Sequence, residues 1–360
     1  MTQTSPAIHI PMLINGEWRE GRSHAASIDP YRGDTVAHAP ESTEQDVADA
    51  TAAARRAAPE VAAMPPYERA RMLRRIAAEL TSHVDELALL MARETGKAIV
   101  DCRTEAARAP GVFELSAEEA IRIEGENVPL GGSPMGDGRM CFLMRFPVGV
   151  VAGITPFNAP LNLACHKIGP ALAAGNSVVL KAPPQSPAIV SRLFELIQRC
   201  DVPPGFVNTL YGESAGPQLV QSPDVDFISF TGSSRVGAAI RAAAGLRRVA
   251  LELGGTGTTI VHADADIETA AKLCARNAHR LAGQSCISVQ NVYVHRSIAT
   301  RFTELLLAEV GRMKVGDPLE RDTDVGTLID EAAARRVSGW IDEAVAGGAK
   351  LLCGGERRGA

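Results

Sequence analysis

From residue 148 onward, short and almost wholly apolar runs recur, each followed by a stretch with helical spacing. The runs are "VGVVAGITP", "NSVVLKAP", "GFVNTLYG", "DFISFTG" and "RRVALELGG", and "SPAIVSRLFELIQRC" is typical of what separates them. A strand that is apolar at every position offers no face to water, so both of its faces must be covered. Parallel neighbours need a crossover and helices are the usual crossover, so the alternation predicts a parallel sheet between layers of helices. After Gly255 it restarts with "TTIVHADADIETAAKLCARNAHR", "VQNVYVH" and "IATRFTELLLAEVGRM", which predicts a second α/β domain.

The first 125 residues read as mostly helical. Ser42 stands three before Gln45, a capping-box spacing at the head of an alanine-rich helix. Leu73, Ile76, Ala77 and Leu80 recur at i, i+3, i+4 and i+7, as do Val84, Leu87, Ala88 and Met91, and Gly96 closes that helix. In "RIEGENVPLGGSPMGDGRMCFLMRFPVG" a glycine cluster separates two short extended pieces, the pattern of a long hairpin.

Composition narrows the function. The chain has 360 residues, 46% hydrophobic and 22% charged, enough for two cores of an ordinary globular protein. Its 37 basic residues are dispersed and its net charge is −5, which argues against a nucleic-acid surface. No apolar stretch reaches the roughly 18 residues of a membrane span. "MTQTSPAIHIPML" lacks a basic region followed by an apolar core, so no secretion signal is read. The seven cysteines are scattered without a CxxC pair, which predicts free thiols in a reducing cytoplasm and no metal site.

A parallel sheet binds ligands at the carboxyl ends of its strands, which makes the strand-to-helix turns the places to look. In "ITPFNAP", Pro156 and Pro160 stiffen a turn carrying Asn158, whose amide can donate to a developing oxyanion. "VLKAPPQSP" ends a strand with Lys181, a candidate for ribose hydroxyls or phosphate. "FTGSSRVG" puts Gly232 and Ser233 at an expected helix start, where free N–H groups and the helix dipole suit a pyrophosphate, although no GxGxxG is present. "LELGG" places Glu252 in an apolar strand, surroundings expected to raise its pKa toward that of a general base. "HRLAGQSCISVQ" carries Cys286 among small and polar neighbours, a setting for an accessible thiol rather than a core cysteine.

In that order, with "INGEW" at 14–18, "ETGK" at 94–97 and "GDP" at 316–318, these segments resemble the NAD(P)-dependent aldehyde dehydrogenase superfamily. The resemblance implies a Rossmann-like parallel-sheet cofactor domain (1–124 and 148–253), a protruding oligomerisation hairpin (125–147) and a second α/β catalytic domain (254–360). It implies that Cys286 attacks the aldehyde carbon, that the Asn158 side chain and the Cys286 N–H hold the oxyanion, and that Glu252 activates the water that hydrolyses the thioester. Keeping Glu252 speaks against acyl transfer to coenzyme A. Lys181 would meet the adenosine ribose, and Gly232, Ser233 and Val236 the pyrophosphate and adenine. Phe157 with Ile154, Thr155 and Pro156 would flank the nicotinamide. Gly212, Gly216, Phe230, Thr231, Leu253 and Gly254 would complete the cofactor surface.

Two departures from the family pattern shape further expectations. NAD-preferring members often carry a glutamate three residues after the lysine; here Pro184 stands there, which favours acceptance of NADP, alone or alongside NAD. Family members also continue past "GGERRGA" through an E-x-F-G-P segment to a strand that joins a neighbouring subunit. The chain is therefore expected to be C-terminally incomplete, leaving the hairpin with an unpaired edge, and to form a homodimer or homotetramer when full length. A non-catalytic member acting as a structural or binding protein is the alternative, and an esterase side activity of the thiol a third reading. Asn162, Leu163 and His166, one to two helical turns past Asn158, with Ser285 and Ile287 beside the nucleophile, should line the substrate tunnel. Their polarity points to a short polar or anionic aldehyde.

Overall fold

The computed structural model describes residues 6–357, so the outermost residues of the expected domain spans, 1–5 and 358–360, lie outside the described residues. Residues 6–40 are a correction to the helical reading: they carry strands β1 (Ile8–His9), β2 (Met12–Ile14), β3 (Glu17–Arg19), β4 (His24–Ile28) and β5 (Thr35–Pro40). Each is short and several are exposed, so no hydrophobic period announces them. A local signal was nonetheless present in the "NG" of "INGEW". Asn15 and Gly16 have φ of 55° and 80°, the paired left-handed conformation of a two-residue hairpin between β2 and β3.

Helices α1 (Glu44–Ala63), α2 (Pro66–Thr81), α3 (Val84–Thr95) and α4 (Ile99–Ala120) follow. The capping box of α1 is one residue later than expected: Thr43 accepts from the Asp46 N–H, and Asp46 takes the Thr43 N–H at 2.8 Å. Ser42 is instead buried, and its Oγ accepts from the Tyr211 N–H at 2.9 Å. The helical stripes do bury their apolar positions: Leu73, Ile76 and Leu80 are fully enclosed, and Gly96 ends α3 with φ +69°. Hairpin strands β6 (Glu126–Val128) and β7 (Cys141–Leu143) pair antiparallel, and Phe142, Leu143, Met144 and Phe146 are exposed along this arm.

The five expected apolar runs become β8 (Val150–Ile154), β9 (Ser177–Lys181), β10 (Val207–Leu210), β11 (Phe227–Thr231) and β12 (Arg248–Glu252), with α5 (Pro160–Ala173), α6 (Pro187–Gln198), α7 (Ala215–Gln221) and α8 (Ser234–Ala243) between them. They form one all-parallel sheet in the order β10-β9-β8-β11-β12. From β8 the chain winds first to one side and then returns to place β11 on the other. The order therefore reverses between β8 and β11, and the crevice for a ligand opens above their carboxyl ends. The fold is α/β of the doubly wound type.

Beyond it, β13 (Gly257–Val261) and β14 (Val289–Val294) pair in parallel across α9 (Ile267–His279), followed by α10 (Ala299–Gly311) and α11 (Glu331–Ala346). This unit has a core of its own, built around Val261, Ala271, Cys274 and Phe302 and separate from the large core of the sheet body. Among the described residues, no helix is long and apolar enough to cross a membrane.

Candidate active site

Turns at the carboxyl ends of β8, β11 and β12 converge on the loop that precedes β14. One cavity between them is lined by Pro156, Phe157 and Asn158 from the first, Thr231, Gly232 and Ser233 from the second, and Glu252, Leu253 and Gly254 from the third. Gly283, Gln284, Ser285 and Cys286 close it from the other unit, and Arg336 and Trp340 of α11 stand over it. The three residues expected to do the chemistry thus share one cavity although they are far apart in sequence. A second cavity meets the first at Asn158, Ser285 and Cys286 and runs between α4 and α5. All five expected tunnel residues line it: Asn162, Leu163, His166, Ser285 and Ile287.

Cys286 is an exposed free thiol on a loop that is pinned on both sides. Upstream, Leu281, Ala282 and Gly283 are consecutively left-handed, with φ of 49°, 51° and 79°. For leucine and alanine this costs roughly 1–2 kcal/mol each, strain that the surroundings must hold in place. Gln284 supplies part of that hold, accepting from the Ile329 N–H at 3.1 Å through its side-chain oxygen. Its own carbonyl accepts from Asn158 Nδ2 at 3.0 Å, which ties the thiol loop to the β8 turn. Downstream, the buried Ser288 donates to the Ala278 carbonyl at the end of α9, 3.0 Å away. Four of the other cysteines, Cys102, Cys165, Cys200 and Cys274, are buried, and burial pushes each thiol up.

Asn158 is fixed from below. Lys97 pairs with Glu105 in a buried contact and reaches the Asn158 carbonyl at 3.5 Å, while Glu105 accepts from the Asn162 N–H at 3.0 Å, in the first turn of α5. The carboxylate sits where a helix N-terminus favours negative charge. The Oδ1 atoms of Asn158 and Asn162 are buried without a hydrogen-bond partner. Glu94, the first residue of "ETGK", is also structural. Wholly buried, it accepts from the Ala188 and Ile189 N–H groups at the start of α6, both at 2.8 Å.

Glu252 departs from expectation. Strand β12 lies at the sheet edge with alternating exposure, and Glu252 is exposed, so an apolar environment is not what would tune it. The sequence reading missed its basic neighbour, Lys167. This side chain is buried, donates to Ser229 and Thr231 of β11 at 3.1 and 3.0 Å, and is pushed down to about 8 by burial against the pull of Glu252. Gly153 makes the crossing feasible: a Cβ there would stand 3.3 Å from Lys167 Cδ and 2.7 Å from the Leu180 side chain. A lysine inside an apolar helix stripe, in "ACHKIGPAL", was the available signal.

The residues expected to hold a dinucleotide divide into two groups. Pro156, Phe157, Thr231, Gly232, Ser233, Leu253 and Gly254 line the first cavity. Ile154, Thr155, Lys181, Pro184, Gly212, Gly216, Phe230 and Val236 do not line it. They lie outside it along the same side of the sheet, at or just past the ends of β8, β9, β10 and β11 and in the helices α7 and α8 that follow. Lys181 is buried and pushed down to about 8, while Glu213 and Glu41 pull it up. The residues present fit a dinucleotide. Ser233 caps α8 by accepting from the Val236 N–H at 3.3 Å, its helix start faces the crevice, and no atom within 4 Å would meet a Cβ at Gly254 or Gly255. Among the described residues, His9, Glu20 and His24 bring metal-ligand atoms within 4.8 Å of one another, on the N-terminal strands and outside both cavities.

Comparison with known proteins assigns this geometry to a family. The model of the aldehyde dehydrogenase family matches residues 18–360. The chain is 44% identical to 3-sulfolactaldehyde dehydrogenase of Priestia aryabhattai over 362 residues, covering all of this chain and 76% of the relative. It is 36% identical to succinate-semialdehyde dehydrogenase [NADP(+)] of Escherichia coli over 350 residues, 96% of this chain and 72% of that one. Among solved structures, aldehyde dehydrogenase 21 of Physcomitrella patens, in complex with the reaction product succinate, superposes with a TM-score of 0.94 at 34% identity, covering 99% of this chain and 75% of that chain. An NAD-dependent aldehyde dehydrogenase from Sinorhizobium meliloti gives 0.93 at 36%, covering 98% and 71%. The chain belongs to the aldehyde dehydrogenase family, oxidoreductases that act on the aldehyde group with NAD or NADP.

Proposed function

We propose that this chain oxidises a small polar aldehyde to the carboxylic acid, with Cys286 as nucleophile, Asn158 as oxyanion donor and Glu252 as general base. The observation that carries the proposal is the meeting of two cavities at Asn158 and Cys286, one bounded by Glu252 and the Gly232–Ser233 turn, the other running between α4 and α5. The Cys286 thiolate bonds to the carbonyl carbon, and the carbonyl electron pair moves onto oxygen. That oxyanion takes hydrogen bonds from the Asn158 amide and the Cys286 N–H, donors placed where charge develops. NAD(P)+, held at its pyrophosphate side by Gly232, Ser233 and Gly254, would supply the oxidant that the loss of hydride from the same carbon requires. Glu252 then takes a proton from water as its oxygen attacks the thioester, and the Cys286 thiolate leaves. The positive charge of Lys167 interacts with Glu252 across the end of β11.

Gly232, Ser233 and Gly254 would hold the pyrophosphate side of the dinucleotide and Phe157 the nicotinamide side, with Lys181 toward the ribose. Pro184 in place of a carboxylate favours NADP acceptance, although Glu41 and Glu213 near Lys181 oppose a 2′-phosphate electrostatically. The expected result is measurable turnover with both cofactors. The division into a cofactor domain (1–124 and 148–253), a hairpin (125–147) and a catalytic domain (254–360) belongs to the same proposal. So do a homo-oligomer joined through the apolar hairpin and a cytoplasmic setting that keeps the thiols reduced. Absorbance at 340 nm with glycolaldehyde or succinic semialdehyde, for the parent and Cys286→Ala, tests the reaction. Turnover that survives Cys286→Ala defeats the assignment of the nucleophile.

A further inference from the structure

The second cavity has an uneven balance of charge. Lys97, Arg108 and Arg280 line it together with Asp101 and Glu105. Lys97 is paired with Glu105, and Arg280 Nε stands 3.3 Å from Asp101 Oδ1. Arg108 is left over: among the described residues it has no ion pair and no side-chain hydrogen bond. Asp101, Glu105 and Arg108 share one face of α4, so Arg108 stands about 10 Å along the helix axis from Asp101. Opposite it, Asn162 and His166 lie one turn apart on α5. His166 is held below its ordinary pKa chiefly by the partial burial of its ring and further by Arg108 and Lys167. Asn162 is 8% exposed, and its Oδ1 is buried without a partner.

We propose that this cavity is built for an aldehyde whose far end carries a carboxylate or sulfonate, with Arg108 as its charge partner and Asn162 Oδ1 as acceptor for a hydroxyl or amino group along the tail. The inference rests on the aldehyde-oxidising reading of the site and deepens it. A guanidinium forks onto two oxygens of a carboxylate or sulfonate, so it fixes direction as well as charge. An aldehyde carbon at Cys286 and an anionic end at Arg108 define one orientation in the tunnel. A buried acceptor left empty is unfavourable, so a donor on the tail gains more at Asn162 than it would in water. Several relatives are named for substrates of this chemistry, 3-sulfolactaldehyde, succinate semialdehyde and sulfoacetaldehyde, and two for lactaldehyde, which carries the hydroxyl without the anionic end.

The test needs no turnover. Iodoacetamide alkylation of Cys286 is followed by peptide-level mass spectrometry, which separates it from the exposed Cys353. Succinate and 3-sulfopropanoate serve as product-shaped anions and succinamide as the neutral counterpart. The anions are expected to protect Cys286 at concentrations at least ten-fold lower than succinamide. In Arg108→Gln the half-protecting concentration should rise ten-fold or more for both anions while that of succinamide moves less than two-fold, and Arg108→Lys should fall between. Protection by only one of the two anions selects carboxylate or sulfonate and supports the site. Equal protection by anions and succinamide in the parent overturns the anionic tail while leaving aldehyde oxidation, scored separately at 340 nm, standing. Equal loss for anions and succinamide in Arg108→Gln overturns Arg108 as charge partner.

Discussion

The sheet body and the 257–346 unit use the same strand-helix-strand pattern but are filled differently. In the body, β8, β9 and β10 are buried along their length, and the apolar core extends from Ile10 to Ala244. The other unit has two strands, both half exposed, packed around Val261, Ala271, Cys274 and Phe302. The body therefore presents its strand-end turns from a rigid base, whereas Cys286 follows a left-handed, strained stretch of the thinner unit. Specific polar tethers register the two: Asn158 to Gln284, Arg280 to Asp101, and the Thr327 N–H to the Gly96 carbonyl at 3.0 Å. The pair teaches that packing supplies rigidity on one side of the site and directed hydrogen bonds supply it on the other.

Five substitutions sharpen or break that contrast. The largest effect is expected at Cys286→Ala, which should cut aldehyde oxidation by about 10⁴-fold or more. Its urea midpoint should barely move, because exposed positions stay within about 0.5 kcal/mol; a large loss of stability would mean the thiol is a packing residue. Asn158→Ala comes next. Losing one oxyanion donor costs about 10²–10³ in kcat, and here the tether to Gln284 is lost too. A fall in kcat with KM little changed is expected, and an unaltered kcat would remove Asn158 from the chemistry.

Leu73→Ala, in the body, should cost about 2–5 kcal/mol by urea denaturation. Leu305→Ala, on the partly buried rim of the small core, should cost less than about 1.5 kcal/mol. Equal losses would erase the distinction between the two units. The smallest effect is a change in pH dependence. Below pH 8 both the folded and unfolded chains keep Lys167 protonated, and the folded chain carries the full cost of a buried ammonium. Between pH 8 and about 10.4 the folded lysine releases its proton while the unfolded one keeps it, so this position contributes more stability as pH rises. Relative to the parent, Lys167→Met should thus be better off at pH 7 than at pH 10, by on the order of 1–3 kcal/mol. The opposite slope would show that Lys167 stays charged when folded.

Much of the site was legible because strand ends and glycine turns leave local marks. Asn158 between prolines, Gly232 with Ser233, and Cys286 among small polar residues are each conspicuous. What escaped were residues that act across elements. Glu105 of α4 and Lys97 just ahead of it brace the Asn158 turn, Arg108 faces α5, and Lys167 crosses β8 to reach β11. Lys97 stood out only as part of "ETGK", and the others looked like ordinary charges within a helix pattern. The burial of Glu252 was misjudged for a related reason: an apolar run shows that a strand is covered, and it does not show whether the strand is central or at the edge. Strands β1 to β5 were missed because two to six residues are too few to display a period.

By itself the sequence determined the alternation of strands and helices, the parallel sheet, and the turn chemistry at each strand end, because these follow from local propensity and from which faces must avoid water. Tertiary structure alone decided the strand order, the reversal between β8 and β11, and the convergence of Asn158, Glu252 and Cys286 on one cavity. It also decided which charges are paired and which, like Arg108, have no ion pair among the described residues. Strand order and ion pairing depend on contacts between segments distant along the chain, and those contacts have no period to read.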